Sequence, residues 1–484
     1  MKKNNLKILI LIFIFIITFI PRLYRLDNPV ADWHSWRQAD TAAVARNFAK
    51  DRFNLLYPQS DNFSPSNNSG LENPDRLFIN EFPFYNAIVA LLYQSFGINE
   101  SIARLVSIFF ASLGAVFLYL LTLNLFGRKI ALSTGLFYAF NPYNIYYGRV
   151  IMPDPTFISL SIISLYLCLV WLKSQKWSHA FWLTLTFSLA ILVKPYALFL
   201  ALPMAYWVFL NQGKKIFANK QTYLVIFGSL APFALWRWHH HLHPEGTFYS
   251  SWLLNLDNIR FSGAFFRWLI FDRLNRLIFA TGGFVLFIIG LLTSYTSKKR
   301  SLIFVWLLSV ALYMTIFAGG NVAHDYYQLP IVPVGSILVA FGFWQVVGLT
   351  KKRLPQILNI SLATALLLLS FAFGWYEVRG FFNINRPEIV AAGQAVDRLT
   401  PADAIVIAPY AQDPAFLYQT NRHGWPFGGQ VEQRAEIKKR AYQQGATHYV
   451  AVELNQEVQW LKDTCQVVEE TEQYILIDLR GCPL

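Results

Sequence analysis

Eleven stretches rich in Leu, Ile, Phe, Val and Ala recur along the chain, centred on residues 8–20, 102–126, 130–146, 156–172, 178–193, 195–210, 222–238, 277–294, 301–319, 328–349 and 355–375. A bilayer-crossing helix needs roughly 20 mostly apolar residues, fewer where flanking side chains snorkel. Each stretch meets or approaches that length, so the pattern predicts an α-helical polytopic membrane protein with about 11 transmembrane helices. From about residue 384 the apolar runs shorten to strand length, at 404–408, 448–452, 466–468 and 474–479, and alternate with helical patterns at 387–399, 431–444 and 455–463. Alternation of that kind predicts a small α/β domain. The expected organisation is a transmembrane domain over 1–380, with a long first loop at 21–101 that carries amphipathic helices, followed by a soluble α/β domain over 381–484.

Composition agrees. Hydrophobic residues make up 55% of the 484 and charged residues only 14%, against about 25% in soluble proteins. The net charge of +13 would ordinarily raise nucleic acid as a partner, but its distribution points elsewhere. From Glu377 onward there are 14 acidic and 10 basic residues, so the mostly apolar remainder carries +17. Sixteen of its cations sit in alternate short loops: Lys2, Lys3 and Lys7, then Arg128/Lys129, Lys173/Lys176, Lys214/Lys215/Lys220, Lys298/Lys299/Arg300 and Lys351/Lys352/Arg353. Basic loops face the cytoplasm. The N-terminus is therefore expected in the cytoplasm of an inner (plasma) membrane protein, and the first loop and the C-terminal domain outside. The first apolar stretch has no small-residue cleavage site after it and reads as a retained anchor.

The outer loops hold the chemistry. Residues 264–276 interleave Phe265, Phe266, Trp268, Leu269 and Phe271 with Arg267, Arg273 and Arg276, which suits a helix lying in the headgroup layer; an extension of the next span is the simpler alternative. Cys465 and Cys482 flank the last two predicted strands and could pair on the outer side, while Cys168 falls within a span. His239, His240, His241 and His243 form a tract at a span end, beside Trp236 and Trp238, that could be metal-binding or merely interfacial. Gly428-Gly429 follows no strand and makes no phosphate-cradling loop.

Four clusters could carry a reaction. Asp32-Trp33-His34-Ser35-Trp36-Arg37-Gln38-Ala39-Asp40 leads into an amphipathic stretch just after the first span, where a carboxylate can meet both a membrane-held and an aqueous substrate. Arg37 and Asp40, three apart, would share a helix face and could pair; Asp40 or Ser35 could instead cap the helix. Arg149 and Asp154-Pro155 join two spans, with Asp154 suited to N-capping yet costly at membrane depth. Lys194 is a lone ammonium between two short apolar segments, fit for an anion such as phosphate or for snorkelling. His324-Asp325-Tyr326-Tyr327 supplies donors and acceptors for a sugar or phosphate.

Taken in order, these residues resemble the GT-C glycosyltransferases, specifically glycosyltransferase family 39, related to protein O-mannosyltransferases and lipid A aminoarabinose transferases. The resemblance rests on Pro21-Arg22-Leu23-Tyr24-Arg25-Leu26-Asp27, Thr41-Ala-Ala-Val-Ala-Arg46, Glu81-Phe82-Pro83-Phe84-Tyr85, Ala103-Arg104-Leu105, Arg149 with Asp154-Pro155, Leu192-Val193-Lys194 and His324-Asp325-Tyr326-Tyr327. It implies a GT-C fold and an inverting enzyme that moves a sugar from a polyprenyl-phosphate-linked donor to an acceptor outside the cytoplasm, whether lipid, glycan or protein hydroxyl. An acidic residue of the first outer loop would be the general base. Where the family has an Asp-Glu pair, this chain has Arg37-Gln38, so the resemblance moves the base to Asp40, with Asp32 as substitute and Glu81 as a further carboxylate. Arg37, His34, Arg149, Asp154, Lys194, His324, Tyr326 and Tyr327 are then the expected donor phosphate and sugar ligands. The expected partners are the lipid-linked donor, the acceptor and membrane lipids, with no nucleic acid. A divalent metal is possible but no ligand set identifies one. Two other classes fit the same clusters: a flippase or transporter of polyprenyl-linked glycans, for which no inverted repeat is evident, and a ligase of preassembled surface glycans.

Overall fold

The computed structural model describes residues 2–64, 71–247, 250–293, 298–348, 355–426 and 433–483. Gly428-Gly429 and the basic turn Lys351/Lys352/Arg353 lie outside these residues, as do the side chains of Lys2, Lys3, Lys298, Lys299 and Arg300. The chain divides into two compact units, one of Met1–Leu26, Arg104–Trp238 and Ser250–Phe381, the other of Asp27–Ala103, His239–Tyr249 and Phe382–Leu484.

Every one of the eleven apolar stretches is helical. The long, uninterrupted ones run Lys2–Phe19, Glu100–Phe126, Asp154–Ser174, Trp177–Val193, Lys220–Leu242, Ile331–Gly348 and Gln356–Val378. Others are broken where proline removes an amide donor: Arg128–Phe140 gives way at Asn141 to Pro142–Tyr147, and Pro195–Leu200 is a 3-10 turn ahead of Ala201–Gln212. Among the described residues, five helices are long and apolar enough to cross a membrane alone, and a sixth if one bent pair is a single span. The fold is thus that of a multi-pass, α-helical membrane protein.

That bent pair contains residues 264–276. Gly263–Ile278 meets Ala280–Thr293 at 114°, with Ala280 at the bend in a positive-φ conformation (φ 47°). Along Gly263–Ile278, Phe265, Leu269, Leu277 and Ile278 are buried while Phe266, Ile270 and Phe271 are exposed. This amphipathic helix is set off from the next one by a sharp bend, a geometry shared by a helix in the headgroup layer and a broken span. Its C-terminal ten residues, Leu269–Ile278, form a π-helix.

Small residues let the core helices of this unit approach. A Cβ on Gly290 would lie 1.9 Å from the Leu338 carbonyl oxygen, and one on Gly342 would lie 1.9 Å from that of Leu286. Ala280–Thr293 and Ile331–Gly348 therefore touch backbone to backbone, the close packing that membrane helices achieve with glycine. Buried arginines tie down the chain leaving the first helix. Arg22 donates to the carbonyls of Thr18, Ala139 and Asn144, Arg104 to Leu26 and Arg149 to Arg25 at 2.6 Å.

In the second unit, β1 (Ile405–Ile407), β2 (His423–Trp425), β3 (His448–Ala451), β4 (Gln466–Glu470) and β5 (Ile475–Asp478) form one sheet in the order β2-β1-β3-β5-β4. β1 pairs parallel with β2 and β3, and β5 antiparallel with β3 and β4. Four strands and the helices Pro387–Leu399, Gln433–Gln444 and Gln456–Thr464 stand where the apolar pattern put them. β2 and the six-residue helix Pro414–Gln419 were not expected, because neither is long enough to show a period. The first loop joins this sheet: Asn62 forms a parallel bridge to Gly424 in β2.

Cys465 and Cys482, 17 positions apart in sequence, are joined by a disulfide with Cα atoms 5.0 Å apart. Closing a loop of that size is worth about 3 kcal/mol. Replacing both cysteines with serine should lower the stability of the C-terminal domain by about that amount, measurable as a lower urea midpoint for the exposure of Tyr449 and Trp460.

Candidate active site

Within the second unit, the helix Ser35–Lys50 carries the first cluster. It starts after His34, which is left-handed at φ 56° and makes no capping bond. Asp40 lies in the second turn and Ser35 at the first position, so neither caps. Asp32 accepts from the side-chain amide of Gln38 at 2.6 Å, and that amide also donates to the Trp33 carbonyl. This closes the turn entering the helix.

Arg37 does not pair with Asp40. Its Nη2 contacts both oxygens of Glu81, at 2.7 and 2.6 Å, from the segment preceding the helix Phe84–Phe96. A guanidinium held at that range on a carboxylate makes a charge-assisted bond, and this one pins the two helices' starts together. Glu81 is thereby occupied by a cation.

Asp40 is different. It is 6% exposed, and among the described residues no hydrogen bond reaches its carboxylate. Burial pushes its pKa up to about 8, opposed by Arg37 and reinforced by the negative charges of Asp413, Asp61 and Glu81. A carboxylate that ionises near neutrality is a stronger base than an ordinary aspartate, and a general base works best when its pKa lies near the working pH. Because Glu81 raises this pKa, Glu81→Gln should move the half-point of the acid limb of the pH–rate profile to lower pH. A pH–rate profile of the variant checks this, and an unmoved half-point would count against Asp40 as the titrating group.

In the first unit a second cluster forms around Lys194. Lys194 ends the helix Trp177–Val193, and Pro195 begins the next turn. Its ammonium is buried, 3.6 Å from Asp154, and lies over the rings of Tyr326 and Tyr327 at 5.8 and 5.9 Å. It does not snorkel. Asp154 is the first residue of its helix, where a negative charge suits the helix dipole; its N-cap is Pro153, so pairing with Lys194, not capping, is its role here.

The tyrosines are held in turn. Tyr147 donates to the Asp325 carboxylate and Tyr143 to the Asp325 carbonyl at 2.6 Å. Arg273, on the amphipathic helix, lies 3.7 Å from Asp325 and packs over Trp268. His324 stacks on Tyr326 with ring centroids 5.3 Å apart. Arg149 is buried, bonded to the Arg25 carbonyl and packed on Tyr146. Tyr196 leans on Tyr327 and also lines a small apolar cleft with Phe157, Phe199, Trp306, Tyr313 and Pro330.

The structure places Asp32, His34, Arg37, Asp40 and Glu81 in one unit and Arg149, Asp154, Lys194, His324, Tyr326 and Tyr327 in the other, where sequence reasoning assigned them all to one domain. That reasoning passed over Asp325 and Arg273 as site residues and missed Asp61 and Asp413 altogether. Asp325 was signalled by standing between His324 and the tyrosine pair; the other two carry no local signal. Among the described residues no group of three or more His, Cys, Asp and Glu is placed to hold a metal ion. In the histidine tract, His239 bonds to the Leu56 carbonyl and packs with His243 against Tyr57.

Comparison with solved structures shows what architecture this is. ArnT from Cupriavidus metallidurans, solved with undecaprenyl phosphate bound, superposes with a TM-score of 0.66 at 13% identity, covering 99% of this chain and 98% of that one. The archaeal oligosaccharyltransferase AglB from Archaeoglobus fulgidus, in complex with an inhibitory peptide and a dolichol-phosphate, gives 0.55 at 11% identity over 91% of this chain and 69% of its own. The mycobacterial arabinofuranosyltransferase AftD gives 0.58 at 12% identity over 97% of this chain and 41% of its own. The chain shares the fold of these membrane glycosyltransferases. More particularly, residues 80–238 match the family described as dolichyl-phosphate-mannose-protein mannosyltransferase. No curated protein sequence is significantly similar to the chain.

Proposed function

We propose that the protein is an inverting glycosyltransferase that moves a sugar from a polyprenyl-phosphate carrier to a hydroxyl of an acceptor outside the cytoplasm. The observation that carries this is Asp40, a buried carboxylate with no hydrogen-bond partner among the described residues and a pKa of about 8. Asp40 takes the proton of the acceptor hydroxyl, whose oxygen attacks the anomeric carbon as the bond to the carrier phosphate breaks. Lys194, with Tyr326 and Tyr327 around it, meets the negative charge that develops on the departing phosphate. Arg37 and Glu81 orient the base helix, and Arg149 orients the segment leaving the first span.

An N-terminus in the cytoplasm of the inner (plasma) membrane, with the C-terminal domain outside, follows from the basic loops. The Cys465–Cys482 disulfide supports it, since disulfides persist in oxidising compartments. The test is mass spectrometry of surface glycolipids and glycans from cells with the native chain, without it, and with Asp40→Asn. A sugar present only with the native chain supports the proposal; one that persists without the chain, or with Asp40→Asn, overturns it.

A further inference from the structure

The base helix is fastened to the C-terminal domain by a buried charge. Arg46, six residues after Asp40 on the same helix, forms an ion pair with Asp61, both side chains less than one-tenth exposed. Arg46 also donates to the Tyr418 carbonyl at 3.1 Å and lies 4.2 Å from the centre of the Tyr418 ring, in the helix Pro414–Gln419. Asn47 donates to the other Asp61 oxygen and to the carbonyls of Gln59 and Ser60. The Asp61 carbonyl accepts from Gly424 N, and Phe63 N donates back to the Gly424 carbonyl, both at 3.0 Å. Four pieces of chain far apart in sequence meet at this one pair: the base helix, the loop 59–63, the Pro414 helix and β2.

A buried pair of this kind stabilises little by itself, because desolvating both charges offsets their attraction; its best-attested use is to fix one arrangement among several. What it fixes here is Asp40. The charged groups facing Asp40 come from every element packed around it: Arg37 on its own helix, Glu81 ahead of the next helix, Asp61 from the loop and Asp413 at the start of the Pro414 helix. Asp413 accepts from Ala415 N, so its carboxylate is placed by the C-terminal domain. His423 of β2 lies 3.9 Å from Asp61, and burial lowers its pKa, which leaves Arg46 as the cation that balances Asp61.

We infer that Arg46 and Asp61 are positioning residues through which the C-terminal α/β domain holds the Asp40 helix and sets the charge around it, so that this domain is a working part of the catalytic loop. The inference rests on Asp40 as the base. It assigns the domain a task unrelated to capturing acceptor, and it explains why the first loop adds to the edge of the domain's sheet.

The test reads Asp40 directly and requires no sugar substrate. Dicyclohexylcarbodiimide reacts with protonated carboxyls in apolar surroundings. The full-length protein in lipid nanodiscs is labelled across a pH series, and peptide mass spectrometry follows the Asp40 adduct. The native midpoint is expected near about 8. Asp61→Asn removes a neighbouring negative charge and should lower the midpoint by about one pH unit, whereas Arg46→Gln uncovers that charge and should raise it. Arg46→Lys keeps the charge and should restore the native midpoint. Opposed shifts are something general loosening cannot give, since loosening would bring both variants toward an ordinary carboxylate value. Unmoved midpoints, or shifts of both variants in one direction, overturn the inference.

Should the single neutral variants fail to fold, Arg46→Met with Asp61→Leu leaves no charge buried alone. That double variant should also lower the midpoint, and an unchanged one counts against the inference equally. If Asp40→Asn retained full surface-glycan transfer, the base assignment would fall, while the coupling measured on the Asp40 carboxyl itself would stand or fall on the labelling alone.

Discussion

Asp40→Asn is expected to reduce sugar transfer by a factor of about 10² to 10⁴, the range a positioned general base supplies, while leaving the protein inserted and folded. Asparagine keeps the shape but cannot accept the proton. For the native enzyme the same assignment fixes a pH profile. With its pKa at about 8, Asp40 is mostly protonated at pH 7, so the rate should rise tenfold per unit on the acid side and level off above about pH 8. Stability should move the other way. The folded-state pKa lies above the ordinary carboxylate value of 3.8, so between the two the unfolded chain releases its proton first and the folded state loses stability as pH rises through that window. Asparagine has no such penalty. The thermal midpoint of Asp40→Asn at about pH 8.5 should therefore equal or exceed that of the native protein. An inactive variant with a clearly lower midpoint would mean that Asp40 serves the fold, not the reaction.

How much of this was legible beforehand depended on the range of the interaction. The helical character of the apolar runs was, because an apolar run approaching about 20 residues has few structural outcomes. So were four strands and three helices of the C-terminal domain, each long enough to show its period. The His423–Trp425 strand and the Pro414–Gln419 helix were not: three residues around a glycine and six residues after a proline carry no periodicity to read. Local proximity misled in two places. Arg37 and Asp40 share a helix face, yet Arg37 takes Glu81, 44 residues on, since a carboxylate from a neighbouring helix can meet the guanidinium head-on. Asp154 before Pro155 reads as a cap, yet it faces Lys194, 40 positions away. Asp61 and Asp413 were invisible for the same reason, as their importance lies in a fold that brings residues 40, 61 and 413 together. The helix bearing Asp40 could be found from sequence, but what tunes it could not.

Lys194→Met is expected to abolish turnover and to destabilise the protein, and the two effects can be separated. Removing the ammonium leaves Asp154 as a buried charge without its 3.6 Å partner, a loss of about 3–5 kcal/mol for a broken buried pair. Pairing Lys194→Met with Asp154→Asn removes both charges and should return most of that stability, because the desolvation cost disappears along with the attraction. Turnover should not return. An ammonium carries three donors, so its contact with Asp154 at 3.6 Å is compatible with a phosphate oxygen on the same cation. Losing the ammonium from a water-poor site, where it meets charge that grows as the sugar leaves, should cost a factor of about 10² or more. Lys194→Arg keeps the charge but replaces a compact ammonium with a broad planar fork between Tyr326 and Tyr327, and should retain only part of the rate. Thermal midpoints and surface-glycan mass spectrometry on the three variants test this together. If the double variant regains both stability and transfer, Lys194 serves only to neutralise Asp154, and the phosphate must be met by another cation of the first unit, with Arg273 beside Asp325 the nearest in kind.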